Sequence, residues 1–158
     1  MEKFEEAAIK ARKRIDIAHH MMTITYPAVQ DSKLLLGILE NIFLAQANAM
    51  SALLYHERLF KRIPPFQDTF ESKLNMLQFK CAKQYDINPE EIKMLQEVKE
   101  IIANHKKSPF EFAKKDKFVI CSNEYKLDTI SPIKVKEYLQ KTKALTEKML
   151  SYVNKNDI

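Results

Sequence analysis

Apolar residues recur along most of the chain at alternating spacings of three and four, which is the repeat of an amphipathic α-helix. The first such segment covers residues 2–23, and its apolar seam consists of Phe4, Ala8, Ala11, Ile15, Ala18 and Met22. Charged side chains occupy the other faces. We expect Pro27 to end this helix, because proline lacks a backbone N–H and its ring clashes with the preceding turn.

A much longer apolar segment follows, from Lys33 through to Ile63, with Asp31 or Ser32 as its cap and two prolines after it. It is long enough for a membrane span to be weighed. It also contains four polar residues, Glu40, Asn41, Gln46 and Asn48, which would be costly in hydrocarbon. We therefore expect a helix buried inside a bundle and no membrane. Its polar side chains then need partners on another helix or a second chain, or they form a ligand pocket.

Three more helices are predicted. The third covers residues 68–85, and its stripe is Phe70, Leu74, Leu77, Cys81 and Tyr85. The fourth begins at Asn88-Pro89 and runs to about His105, with Ile92, Leu95, Val98 and Ile102 inside. The last begins at Ser131-Pro132, and its buried side is Val135, Tyr138, Leu139, Thr142, Leu145, Met149 and Val153.

Residues 106–131 break this helical pattern. Residues 117–121, a polar Ser-Asn-Glu turn and residues 125–130 predict one β-hairpin. The predicted fold is therefore all-α and forms a single domain over residues 1–158. It is an antiparallel bundle of about five helices, with one long central helix and a small β-hairpin inserted near residues 117–130.

The chain contains one glycine, Gly37, which excludes glycine-rich phosphate loops, dinucleotide-binding fingerprints and nucleophile elbows. Glycine inside a helix costs up to about 1 kcal/mol relative to alanine, so we expect Gly37 to face the backbone of a neighbouring helix closely. The two cysteines, Cys81 and Cys121, are too few for a disulfide scaffold and lack zinc-site spacing. With no secretory signal at the start, we expect free thiols, a cytoplasmic protein, no metal and no cofactor.

The formal net charge is +5, and the excess lies mainly in the second half of the chain, where every basic residue is a lysine. Five lysines surround Phe110 and Phe112 in the non-helical segment: Lys106, Lys107, Lys114, Lys115 and Lys117. Lysines interleaved with aromatic side chains can follow a phosphate backbone while bases stack, which predicts a nucleic-acid-binding segment. Alternatively, Phe110, Phe112 and Phe118 attach the segment to the bundle. The lysines of the last helix indicate an ordinary solvated face.

The densest polar cluster lies on the first helix and contains the candidate catalytic residues Arg14, Asp16, His19 and His20. A carboxylate beside an imidazole supports acid–base chemistry, and an arginine can hold a phosphate. These are the parts of a metal-independent ribonuclease. The alternative, which we favour, is a solvated charged face. Adjacent histidines on a helix point about 100° apart, which argues against a shared metal ion.

The long apolar helix, "LLLGILENIFLAQANAMSALLYHERLF", within a short helical chain resembles HEPN domains (higher eukaryote and prokaryote nucleotide-binding). This resemblance implies a bundle of four or five helices that often forms dimers. Many members cleave RNA, and others are inert partners of nucleotidyltransferases. Active members carry an arginine and a histidine with four to six residues between them. The spacing from Arg14 to His19 and His20 fits that pattern and implies a phosphate-binding and an acid–base role.

Two functional hypotheses follow. The first is a non-catalytic cytoplasmic module for protein association or dimerisation, which also associates with nucleic acid. The second is a HEPN-like metal-independent ribonuclease or RNA-binding domain. The partners expected are a second copy of the chain, RNA or another protein. We favour the non-catalytic hypothesis.

Overall fold

The computed structural model describes residues 1–108, 110–121 and 127–155, and the protein is mostly helical in these ranges. The helices are α1 (Lys3–His20), α2 (Tyr26–Val29), α3 (Lys33–Leu59), α4 (Phe70–Met76), α5 (Pro89–Lys107) and α6 (Pro132–Lys155). The strands are β1 (Phe110–Lys114), β2 (Lys117–Cys121) and β3 (Leu127–Ile130). Two π-helical turns, Met21–Thr25 and Leu77–Cys81, extend α1 and α4.

Side-chain contacts show how the four long helices run. Between α1 and α3, Phe4 contacts His56 and Arg14 contacts Asn41. Between α3 and α5, Phe43 contacts Lys99 and Glu40 contacts His105. Between α5 and α6, Glu97 contacts Tyr138 and Glu91 contacts Lys148. In each pair of helices, residue numbers rise along one as they fall along the other. Each long helix is therefore antiparallel to the long helix that follows it in the chain, as the sequence predicts. Helices α3 and α6, which also pack together, run parallel to each other.

Helix α3 is the centre of the core. Its fully buried side chains include Leu35, Ile38, Leu39, Ile42, Met50, Leu53 and Leu54. By length and composition it could cross a membrane, but 56% of its most apolar window is buried against the rest of the protein. Two of its polar residues bond to other helices: Gln46 donates to Thr142 of α6 at 2.8 Å, and Asn41 accepts from Arg14 of α1 at 3.1 Å. Contacts between helices thus confirm the expectation drawn from these residues. Asn48 instead donates to the carbonyl of Leu44 in its own helix.

The prediction that Pro27 ends the first helix is wrong. The helical backbone continues from α1 through the π-helical turn into α2, where Pro27 lies in the first turn. In the π-helical turn the N–H of Tyr26 bonds to the carbonyl of Met21, five residues back. This wider turn changes the hydrogen-bond register just before the proline, which lacks the N–H that a regular helix would need. The helical backbone ends instead at Gln30, with φ 54°.

The long helix ends four residues earlier than predicted, at Leu59 instead of Ile63. The N–H of Arg62 bonds to the carbonyl of Glu57 at 2.9 Å, and that of Lys61 bonds to Arg58 at 3.0 Å. With φ 58° at Lys61, these bonds form a Schellman motif. Glycine usually occupies this left-handed position, so its absence hid the helix end in the sequence.

The predicted hairpin is part of a three-stranded antiparallel sheet in the order β1-β2-β3. The pairing of β2 with β3 is as expected, for example Phe118 with Ile130. The turn at residues 122–124 and the expected strand start at residues 125–126 lie outside the described residues. Strand β1 is not predicted because the lysines on both sides of it resemble a loop, and pairing with β2 makes it a strand. Phe118 is buried in the core and attaches the sheet to the helices.

Gly37 is half-buried and does not meet a neighbouring backbone. A Cβ atom placed there would lie 3.3 Å from the terminal methyl of Met21, a flexible side chain. Met21 lies in the π-helical turn that follows α1. Gly37 therefore faces a neighbouring helical segment with little space to spare, as expected, but the neighbouring atom belongs to a side chain and not to the backbone. The carbonyl of Gly37 accepts a hydrogen bond from Asn41 Nδ2 at 3.0 Å.

Candidate functional site

Arg14 is half-buried at the contact between α1 and α3. Its Nη1 donates to Asn41 Oδ1 at 3.1 Å. Asn41 in turn donates to the carbonyl of Gly37 and lies 3.6 Å from Met21 Sδ. The guanidinium is thus held in a hydrogen-bond network between two helices.

His19 lies on a different side of α1, where the helix meets α6. Lys143 Nζ is 3.0 Å from His19 Nδ1, so the ammonium donates and the ring nitrogen accepts. Asp16 is exposed and lines a groove of about 390 Å³ between α1 and α6, together with Arg12 and Lys143. The structure therefore brings Asp16 and His19 toward one groove.

His20 is exposed on the outer face of α1, where it lines a shallow depression with Asp16, Ile9 and Ile17. Arg14 lines neither this depression nor the α1–α6 groove. Residues five apart on a helix point about 140° apart, which explains why Arg14 and His19 face different neighbours. Arg14 is close in sequence to His19 and His20, but the three side chains do not line one cleft.

The five predicted nucleic-acid-binding lysines lie at one end of the bundle and are all exposed. Lys106 and Lys107 end α5, while Lys114, Lys115 and Lys117 surround the β1–β2 turn. The first turns of α6 add Lys134 and Lys136 at the same end, because α5 and α6 are antiparallel. We call these seven residues the lysine-rich end. The sequence predicts an ordinary solvated face for the two α6 lysines, and only the fold places them beside the other five.

Acidic side chains near the lysine-rich end are mostly occupied. Glu111 Oε1 lies 2.6 Å from His105 Nδ1, and Asp128 accepts from Asn104 at 2.9 Å. Asp31 caps α3 by accepting from the N–H of Lys33 at 3.0 Å. Within the described ranges, none of the seven lysines forms an ion pair with a carboxylate. Their charges are therefore available to an external anion.

A cavity of about 550 Å³ opens at this end. The walls come from the helical segment around α2, the β1–β2 turn and the start of α6, and include Tyr26, Gln30, Lys115, Asp116 and Lys136. Burial raises the pKa of the Tyr26 phenol, and the nearby Asp116 carboxylate raises it further. Sequence analysis missed Tyr26, because only the fold brings it next to the lysines.

A buried polar cluster lies at the opposite end of α3, and the sequence pattern does not predict its burial. Glu57 is 1% exposed and accepts from Arg62 Nη1 at 3.0 Å. His56 is fully buried, and its ring packs against Phe4 with centroids 4.9 Å apart. The sequence does contain a signal for this cluster, because His56 and Glu57 are polar residues within the apolar segment of α3.

The two cysteines form no disulfide, as expected, and both are buried. Burial raises the pKa of the Cys81 thiol to about 12, with the Glu57 carboxylate as a smaller cause, so the reactive thiolate is scarce near neutral pH. Among the residues that the structure describes, no group of three or more His, Cys, Asp or Glu side chains could hold a metal ion.

No protein-family model matches the chain, and no curated protein matches its sequence.

Proposed function

We propose that the protein is a non-catalytic helical module that binds nucleic acid, RNA in the first instance, through the lysine-rich end. One observation carries this proposal. Seven exposed lysines from α5, the β1–β2 turn and α6 lie at one end of the bundle without carboxylate partners in the described chain. A surface of this kind attracts a polyanion, because each phosphate neutralised by a lysine releases a condensed counterion.

The arrangement of α1 favours binding over cleavage. A metal-independent ribonuclease needs its phosphate clamp and its acid–base group on the same phosphate. Arg14 is bound to Asn41 of α3, whereas His19 is paired with Lys143 of α6. A resemblance to HEPN domains would then fit their non-cleaving members better.

The test measures RNA binding at increasing salt concentrations. Fluorescence anisotropy of a labelled single-stranded RNA reports the binding. We expect affinity to fall steeply with salt, with a log–log slope of about −0.7 for each phosphate contacted. Lys114→Ala/Lys115→Ala/Lys117→Ala should weaken binding and flatten the slope. The matched control is Lys80→Ala/Lys83→Ala/Lys93→Ala, which removes equal charge from exposed sites away from the lysine-rich end. Equal losses in the two triple variants would contradict a localised interface.

The same RNA tests the ribonuclease alternative. We expect no cleavage after prolonged incubation with EDTA. EDTA-resistant cleavage that disappears in His19→Ala/His20→Ala would refute the non-catalytic proposal and support acid–base catalysis by α1.

A second candidate function is self-association through the outer face of α1. Ile9 is 52% exposed and Ile24 is 58% exposed on this face, and Ile17 lies between them. A helix face that pairs with its own copy gives a closed two-fold dimer. Light scattering after size exclusion should then show a dimer that Ile9→Glu/Ile24→Glu converts to a monomer. Ile133→Glu, at a side chain 80% exposed on α6, is the control and should leave the dimer intact. A monomeric wild type would exclude this candidate.

A further inference from the structure

The cavity at the lysine-rich end is built by three segments that are far apart in sequence. Pro27 and Gln30 come from the helical segment after α1, which reaches the cavity only because the backbone continues past the π-helical turn. Asp116 comes from the β1–β2 turn, where Lys115 adopts φ 55°. Pro132 begins α6.

The chemistry of the walls is divided in a way that suits a nucleotide. Tyr26 packs partly against the core and, with Met22 and the two prolines, forms an apolar, partly aromatic wall. Lys115 and Lys136 are exposed cations at the cavity. Aromatic rings bind bases of every sequence by stacking, and lysines bind the phosphates between them.

Two further polar groups line the same space. Asp116 has no ion-pair partner within the described residues, and its carboxylate can accept hydrogen bonds from the amino group of a base. The amide of Gln30 can both donate and accept. A volume of about 550 Å³ lies within the range of small-molecule sites, which is about 300–1,000 Å³.

We propose that this cavity holds one unpaired nucleotide of a bound strand, with its base against Tyr26 and its phosphate between Lys115 and Lys136. This inference rests on the proposed nucleic-acid binding. A base inside a duplex is stacked on both faces and cannot enter a concave site without leaving the helix. The protein therefore prefers single-stranded over double-stranded nucleic acid.

The test compares a single-stranded 12-nucleotide RNA with the corresponding duplex at one salt concentration. We expect the wild type to bind the single strand at least several-fold more tightly. Tyr26→Ala should weaken single-strand binding by about tenfold without changing the salt slope, whereas Tyr26→Phe should retain most of the affinity, because the ring remains. Phe79→Ala removes a ring that is 72% exposed outside the cavity and should change nothing.

A second measurement does not depend on how well Tyr26→Ala folds. Photo-crosslinking of RNA containing 4-thiouridine to the wild type, followed by mass spectrometry, should place the crosslink on residues of the cavity. Crosslinks confined to other faces of the protein would overturn the proposal.

The outcomes separate this inference from the function on which it rests. If the lysine triple variant loses binding but Tyr26→Ala binds normally and duplex binds as well as single strand, the nucleotide site is wrong and the basic interface stands. If wild type binds no RNA, or the lysine triple variant binds as well as wild type, both are wrong.

Discussion

At the scale of single residues, the chain has residues other than glycine in the left-handed backbone conformation that glycine usually occupies. All four residues with left-handed φ are non-glycine within the described ranges: Gln30, Lys61, Asp86 and Lys115. For Gln30, Lys61 and Lys115 this conformation carries a steric cost of about 1–2 kcal/mol each, whereas Asp86 is a residue type that adopts it more readily. Two of them, Gln30 and Lys115, line or adjoin the cavity at the lysine-rich end.

The buried Glu57 carboxylate should depend on Arg62 for its stability. Arg62→Met leaves a carboxylate that is 1% exposed without its cation, and we expect the free energy of unfolding to fall by about 2 kcal/mol. The loss stays below the range of fully buried pairs, because Arg62 is 39% exposed. Urea unfolding measures it. Glu57→Gln/Arg62→Met should recover part of the loss, and Arg12→Met, at an exposed position, should cost little.

At the scale of elements, helix ends follow local chemistry where the sequence supplies it. Asn88 and Glu91 form a capping box at the start of α5, with bonds of 2.8 and 3.0 Å. That start was predictable, because the asparagine, proline and glutamates are adjacent in sequence. The end of α3 was not, because a lysine occupies the left-handed position of its Schellman motif.

The Schellman motif gives a test at the same scale. Lys61→Gly removes the steric cost of φ 58° while adding flexibility to the unfolded chain, so we expect a net gain of about 0.5–1 kcal/mol in the free energy of unfolding. Lys93→Gly, at an exposed position within α5, is the matched control and should lose about 1 kcal/mol. Thermal unfolding of both variants checks the sign. Destabilisation by Lys61→Gly would contradict the role assigned to Lys61.

At the scale of the whole molecule, buried neutral groups should make the protein sensitive to alkali. Burial raises the pKa of Cys81 from 9.0 to about 12, and burial also raises the pKa values of Tyr85 and Tyr138 above 10.0. A raised native pKa means that stability is complete below the unfolded pKa and is lost as pH rises toward the native one. We expect the free energy of unfolding to fall above pH 9, and more steeply above pH 10.

Each group contributes at most about 1.4 kcal/mol per pH unit within its window. Urea unfolding at pH 8, 9.5 and 10.5 measures the decline. Tyr138→Phe removes one of the ionisations and should reduce the slope above pH 10, although it also loses the hydrogen bond to Glu97 at every pH. Constant stability from pH 8 to 10.5 would show that these groups are not buried as described.

The sequence by itself determined the helical character, the antiparallel order of long helices that follow one another in the chain, and most of the core. The apolar positions of α1, α5 and α6 are buried as their spacing indicates, because helical periodicity and capping depend on residues within one or two turns of each other. It also located the basic segment, because five of its lysines lie close together along the chain.

Only the tertiary structure decided which of these residues meet. Pairing with β2 makes a loop-like segment into β1, and the helical backbone over Met21–Thr25 continues to Tyr26, which lines one cavity with Lys115 and Lys136. The tertiary structure also pairs Arg14 with Asn41 of α3 and His19 with Lys143 of α6. These outcomes join residues separated by up to 124 positions, and local pattern carries no information on which distant surfaces pack together.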